Sequence, residues 1–218
     1  MASDEQTIVI GLGRFGRALA STLTRLGHEV LGVDASPKVV QACAMDMTHV
    51  VQADATDVEA LRQVGAADFG RAAVAIGTDI QASILATYAL VDLGVPRIWA
   101  KAVTAEHGAI LERVGAHRVV FPELEMGERV AHTMVGRTID YVELDEDFVL
   151  IETTAPRDIV GETLKDAGLR RRYEVTVVAV KPPGGPFTYA TPETVVHPGD
   201  LMVVAGRREK AEAFASLP

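Results

Sequence analysis

Residues 8–16 read Ile-Val-Ile-Gly-Leu-Gly-Arg-Phe-Gly, a short apolar run that empties into Gly11, Gly13 and Gly16. No other stretch restricts the fold so tightly. Residues 7–10 suit a buried strand and residues 14–26 suit a helix. A glycine turn between a strand and a helix aims unpaired backbone N–H groups at whatever lies beside it. The partial positive charge of the helix N-terminus favours an anion there, commonly a phosphate. In that arrangement Gly11 makes the tight turn, Gly13 admits a pyrophosphate close to the backbone, and Gly16 lets helix and strand pack closely. A second strand, 29–33, ends in Asp34, at about the twenty-residue spacing of a carboxylate that hydrogen-bonds ribose hydroxyls. No Arg or Lys follows at Ala35 or Ser36 to compensate a 2′-phosphate, so NADP is disfavoured.

Beyond Asp34 the apolar segments alternate between the two periods. Helices are expected at 37–44, with Ser36 as cap and Pro37 in the first turn, and at 58–64, capped by Asp57. Further helices follow at 80–93 and 105–114, stopped by Gly94 and Gly115. Strands are expected between them at 49–53, 72–76, 97–100 and 117–121. This order builds βαβ units, hence a Rossmann-type, doubly wound parallel sheet that is complete by Phe121. A further helix, 123–135, has no strand left to serve and reads as a bridge. From Thr138 the pattern changes to strands at 141–144, 148–153, 175–180, 187–190 and 201–205, a short helix near 163–167 and a terminal helix at 208–215. The expected organisation is a nucleotide-binding domain at 1–121, a crossover helix and linker at 122–137, and a small α+β domain at 138–218.

The composition excludes several function classes. With 21 Lys and Arg against 30 Asp and Glu, the formal net charge of −9 is the wrong sign for a nucleic-acid footprint. The one dense basic cluster, Arg170-Arg171-Arg172, reads as a local anion site or a solvated turn. Cys43 is the single cysteine, which fits a reducing cytosol and leaves no disulfide or cysteine metal cluster. Nothing before Thr7 has the pattern of a signal peptide. No apolar run approaches the roughly 20 residues needed to span a bilayer.

Seven segments in fixed order carry a resemblance. They are Ile-Gly-Leu-Gly-Arg-Phe-Gly (10–16), Ala-Asp-Ala-Thr (53–56), Asp-Ile-Gln-Ala-Ser (79–83), Ile-Trp-Ala-Lys-Ala (98–102) and Phe-Pro-Glu-Leu-Glu-Met-Gly (121–127). Leu-Arg-Arg-Arg-Tyr (169–173) and Pro-Gly-Asp-Leu-Met-Val-Val-Ala-Gly (198–206) complete the set. Together they resemble the RCK (regulator of K⁺ conductance) family, in particular the TrkA/KtrA-type cytosolic regulators of bacterial potassium uptake. The resemblance implies an N-terminal domain that senses ATP and ADP, a crossover helix, and a C-terminal domain that binds cyclic di-AMP. It also implies homodimers assembled into an octameric ring on a TrkH/KtrB-like membrane potassium-transporting subunit, with ATP favouring activity and ADP inactivity. The implied location is the cytoplasmic face of the membrane, reached through that partner.

By the same resemblance, Gly11, Gly13, Phe15 and Gly16 frame the nucleotide and Arg14 touches the terminal phosphate of ATP. Ala53, Asp54, Ala55 and Thr56 lie where the family contacts adenine; read from the residues alone, Asp54 is equally a plain N-cap for the next helix. Glu123 helps hold a divalent cation against phosphate across a dimer interface, with Glu125 as its substitute. As an acid in a first helical turn, Glu123 also has a structural reason to exist, worth about 0.3–1 kcal/mol. Lys101, at the carboxyl edge of the sheet, is left open between a phosphate contact and a neighbouring acid. Asp79 and Gln81 begin a helix beside that edge and line the pocket, whereas Arg17 and His107 are expected on the surface. In the second domain Arg170 matches the arginine set against a cyclic di-AMP phosphate, with Leu169, Val175 and Val177 as apolar walls. Glu174 departs from the glycine that is frequent there.

Two other readings remain. One is a TrkA-like regulator that senses NAD(H). The other is an NAD-dependent oxidoreductase, which needs a substrate domain with an acid or base over the nicotinamide. The region after Thr138 offers only His197, inside a Pro-Gly turn, and no nucleophile–base set emerges elsewhere. For the regulator, two dimer conformations are expected to differ at a hinge near Gly127 and Gly136.

Overall fold

The computed structural model describes residues 3–45, 47, 49–134 and 137–218. Val135 and Gly136, where the bridging helix was expected to end, lie outside the described residues. The chain forms two compact units, Met1–Glu123 and Leu124–Pro218.

In the first unit, β1 (Ser3–Ile10) runs through the glycine turn into α1 (Arg14–Arg25) and then β2 (Glu29–Asp34). The order continues with α2 (Pro37–Cys43), β3 (His49–Gln52), α3 (Val58–Gln63), β4 (Phe69–Val74), α4 (Ile80–Asp92), β5 (Ile98–Lys101), α5 (Ala105–Val114) and β6 (Arg118–Val120). The six strands lie in the order β3-β2-β1-β4-β5-β6, and each pair is parallel. The order reverses at β1, so the crevice beyond the carboxyl ends of β1 and β4 is the switch point at which such sheets bind ligands.

Helices lie on both faces of the sheet, which is why its strands read as apolar runs, and beside α1 an apolar groove stays open over β4 and β5. Ile8, Ile10, Val74 and Ile98 pack with Leu61, Leu90 and Leu111 of α3, α4 and α5. Val9, Val30 and Ala73 point the other way, with Ala20 of α1 and Cys43 of α2. β4 lies earlier than expected, because Gly70 and Arg71 interrupt the apolar pattern while Phe69 and Arg71 still pair with β1; Ala75 continues only as a single bond to the Ile10 carbonyl. His107, expected on the surface, is buried at 2% exposure: the Thr104 cap on the His107 N–H turns it inward with Leu111.

Helix α6 (Pro122–Met134) leads into the second unit, and none of its residues is buried. There β7 (Thr138–Asp145) and β8 (Phe148–Thr154) form a hairpin around the expected acidic turn. α7 (Leu164–Ala167) and α8 (Leu169–Tyr173) follow, then β9 (Val175–Lys181), β10 (Thr188–Tyr189), β11 (Leu201–Arg207) and α9 (Arg208–Ala215). The sheet runs β10-β9-β11-β8-β7 and its pairs are antiparallel. Its inner face, with Val149, Ile151, Met202 and Val204, packs on Phe214 of α9 and Leu169 of α8. Arg129 of α6 grips Asp140 through two bonds of 2.7 and 2.6 Å, and His132 stacks on Tyr141 at 3.8 Å.

Candidate functional site

The glycine loop has the shape its sequence anticipates. Gly11 takes φ +88°, in the left-handed region that favours glycine. A Cβ on Gly16 would lie 1.9 Å from the Gly11 carbonyl oxygen, so only glycine lets α1 start this close to β1. A Cβ on Gly13 would meet nothing within 4 Å, so the chain itself leaves the approach to this turn open. Gly13 is also the N-cap of α1 and offers no side chain to the first N–H groups, which stay available to an anion.

Asp34 closes the loop from the side. Its Oδ2 accepts the Leu12 N–H at 2.7 Å and its Oδ1 accepts the Ser36 N–H at 2.9 Å. Each oxygen keeps a further lone pair that can accept from a ribose hydroxyl. Arg17 is exposed as expected, yet its Nε donates to the Leu12 carbonyl at 3.0 Å and so braces the loop. Arg14 is exposed beside it and Phe15 is half-buried.

At the end of β3, Ala53 donates to the Asp34 carbonyl at 3.2 Å, which seats the segment 53–56 against the same crevice. Asp54 is not a helix cap: Asp57 caps α3 by accepting from the Glu59 N–H. Asp54 instead accepts from the Thr56 N–H and hydroxyl at 2.9 and 2.7 Å, which hold its carboxyl below the usual range and fix the turn around buried Ala55. Asp79 caps α4 through the Ala82 N–H at 2.9 Å.

Lys101 and Glu123 meet. The Lys101 side chain is 9% exposed, and its Nζ lies 2.5 Å from Oε1 of Glu123, whose side chain is 66% exposed. The same Nζ is 5.8 Å from the centre of the Phe15 ring. Lys101 hydrogen bonding draws the Glu123 carboxyl below the usual carboxylate range, and the charge of Arg14 adds to it. Gly77 makes room: a Cβ there would stand 2.8 Å from Nζ. Sequence reasoning passed over Gly77, whose contact with Lys101 spans two strands' loops and leaves no local signal. Among the described residues, no group of three or more His, Cys, Asp or Glu side chains could hold a metal ion. Glu123 alone fits a hard divalent cation only if phosphate oxygens and water complete its shell.

In the second unit, a cavity of about 470 Å³ opens between α7, α8 and β9, lined by Lys165, Leu169, Arg170, Arg171, Val175 and Val177. Arg170 Nε donates to Thr176 Oγ1 at 3.0 Å. Arg172 is turned away, onto Asp158 and the Ala167 carbonyl at 3.1 and 3.3 Å. The triple arginine is therefore one helical turn with divided duties. That helix, α8, was not expected. Glu174 ends it at φ +59° and pairs with Lys210 at 2.7 Å, which is how a non-glycine holds this position.

A parallel six-stranded sheet with a glycine loop at its switch point, joined to a small antiparallel domain, defines a two-domain protein of the Rossmann nucleotide-binding class. Comparison with known proteins narrows this. Residues 7–122 match the TrkA-N domain model and residues 148–217 the TrkA-C domain model, and the chain belongs to this RCK-type family. It is 36% identical over 212 residues to Ktr system potassium uptake protein A of Bacillus subtilis (strain 168), covering 97% of this chain and 96% of that one. It is 38% identical over 199 residues to Ktr system potassium uptake protein C of the same organism, covering 91% and 90%. Among solved structures, the RCK domain of GsuK aligns with TM-score 0.70 at 19% identity, over 99% of this chain and 48% of that chain. The GsuK channel bound to NAD aligns with TM-score 0.68 at 19% identity, over 97% and 39%. GsuK bound to ADP aligns with TM-score 0.51 at 30% identity, over 60% and 34%. The chain thus spans about half or less of those channel chains.

Proposed function

We propose that this protein is a non-catalytic regulatory subunit of a membrane potassium uptake system, controlled by the adenine nucleotide held at its glycine loop. The observation that carries this reading is the near full-length similarity to Ktr system potassium uptake proteins A and C. The open approach to Gly13 and the cations Arg14 and Lys101 beside the loop support nucleotide phosphate as the ligand. Asp34 and the segment 53–56 are the proposed ribose and adenine contacts. Glu123 is the proposed cation ligand when the phosphates are bound, and a cation there would neutralise phosphate charge. No helix among the described residues is long and apolar enough to cross a membrane.

The proposed mechanism is a shift between two conformations of a homodimer, within a ring on the cytoplasmic face. ATP favours the active one because its γ-phosphate reaches Arg14, and ADP lacks that group. A ligand moves such an equilibrium only by its difference in affinity for the two states. Two features support association of copies. The face of the first unit beside α1 holds an apolar groove of about 410 Å³ lined by Phe15, Leu19, Leu23 and Trp99. Leu124, Met126, Val130 and Met134 stand exposed on α6. The proposed hinge lies near Gly127. In the second unit the cavity at Arg170 is the proposed cyclic di-AMP site, and Arg170→Ala removes that binding.

Titration calorimetry with ATP, ADP and NAD, with and without Mg²⁺, tests the central reading. ATP and ADP are expected to bind with different affinities, and Arg14→Ala is expected to narrow that difference more than it weakens either nucleotide's adenosine contacts. Equal losses for ATP and ADP overturn the role of Arg14. NAD in preference to both, with no effect of Mg²⁺, establishes the second reading, a regulator of NAD(H) type. The carboxylate at Asp34 without a following cation, and the NAD-bound GsuK neighbour, are what favour that alternative.

A further inference from the structure

An ammonium with 9% of its side chain exposed needs a counter-charge, because burying a lone cation is costly. Lys101 has Glu123, but the pair is unequal. Lys101 is held in β5, under the Phe15 ring and against Gly77, with its side chain 9% exposed. Glu123, in the first turn of α6, has two-thirds of its side chain in solvent and can leave. Arg14, on the loop, also draws on the same carboxylate. The carboxylate therefore occupies the position where an incoming anion would satisfy both cations.

Resting on the nucleotide reading above and its cation role for Glu123, we infer that Glu123 is an internal stand-in for phosphate: bound phosphate displaces its carboxylate from Lys101. Without a cation, phosphate gains Lys101 but meets the freed Glu123 as a like charge. With a cation, that repulsion becomes coordination. Lys101 is thus a positioning residue for Glu123 in the free protein and a phosphate contact in the bound one.

The test is ATP affinity of the full chain by calorimetry, in EDTA and in Mg²⁺, for the parent, Glu123→Gln and Lys101→Met. A carboxylate that competes for Lys101 predicts that E123Q binds ATP in EDTA about threefold tighter than the parent, the scale of one exposed ion pair. E123Q is also expected to lose the Mg²⁺ enhancement, and K101M to bind more weakly in EDTA. Unchanged or weaker EDTA affinity in E123Q overturns the displacement and leaves Glu123 a plain cation ligand, with the nucleotide reading intact. No ATP binding by the parent overturns both. E123Q takes the counter-charge from a buried ammonium, so the thermal transitions of both variants, read in parallel, separate lost contact from lost structure.

Discussion

Gly13 and Gly16 look alike in sequence and should fail in opposite ways when given a methyl group. In Gly16→Ala the new Cβ meets the Gly11 carbonyl oxygen at 1.9 Å and its carbon at 3.0 Å. Both are backbone atoms in a turn held by the Gly11 N–H to Val33 bond of 2.8 Å, so neither can move aside cheaply. Overpacking of this kind costs about 3 kcal/mol. At about 4 °C per kcal/mol for a unit of this size, the first unit should melt roughly 10 °C lower. Gly13 sits at φ −66° and ψ −168°, which any residue adopts, with open space beyond. Gly13→Ala should change stability little, because stiffening the unfolded chain gains about 0.4–1 kcal/mol and the poorer N-cap costs about as much. Its methyl instead stands where phosphate would approach and should weaken ATP binding by about tenfold or more. Thermal unfolding by circular dichroism and calorimetric titration read the two effects separately. A Gly16→Ala protein as stable as its parent refutes the loop packing. A Gly13→Ala protein that binds ATP normally refutes the passage of phosphate over this turn.

Two further outcomes follow from protonation. Hydrogen bonding from Arg129 holds the Asp140 carboxyl below the usual value of 3.8. A depressed carboxyl stabilises the fold above its unfolded value and loses that contribution as pH falls through its folded one. The second unit should therefore weaken below about pH 4, and Arg129→Met should flatten that limb of the unfolding midpoint between pH 5 and 2.5; an unaltered limb rules the pair out as its source. Burial lowers the pKa of His107 from 6.5, so the unfolded chain takes up a proton there that the folded one refuses. Stability of the first unit should decline as pH drops below 6.5, and His107→Asn, whose amide oxygen can still accept the Val103 N–H, should decline less. Equal slopes count against the burial of that imidazole.

Much of this was legible because the first unit is built from local rules. Glycines at 94 and 115, caps at Asp57 and Asp79, and two-faced apolar strands each announce an element within a few residues of its place. What escaped was set by distance or by a lack of apolar period. Helix α8 carries three arginines in five residues, and its place in the core comes from Leu169 and Tyr173 alone. The inward turn of His107 shows only in its bonds to Thr104 and Val103, because a lone His in a helix has no apolar period to mark it as buried. The pairing of Lys101 with Glu123 spans 22 residues, so no local pattern announces it. At Asp34 the residue type and position were readable, but not its bond to Leu12, which joins two segments that the sequence presents as separate motifs.

That bond has a consequence for selectivity. Because Asp34 and Arg17 already hold the Leu12 peptide from both sides, through its N–H and its carbonyl, the loop is shaped by the chain itself before any ligand arrives. A ligand then spends none of its binding free energy on ordering the loop. The proposed ribose end is therefore shaped before any nucleotide enters. On the proposed reading, Asp34 at this preset end turns away a 2′-phosphate, and the choice between ATP and ADP falls to the charges at the phosphate end.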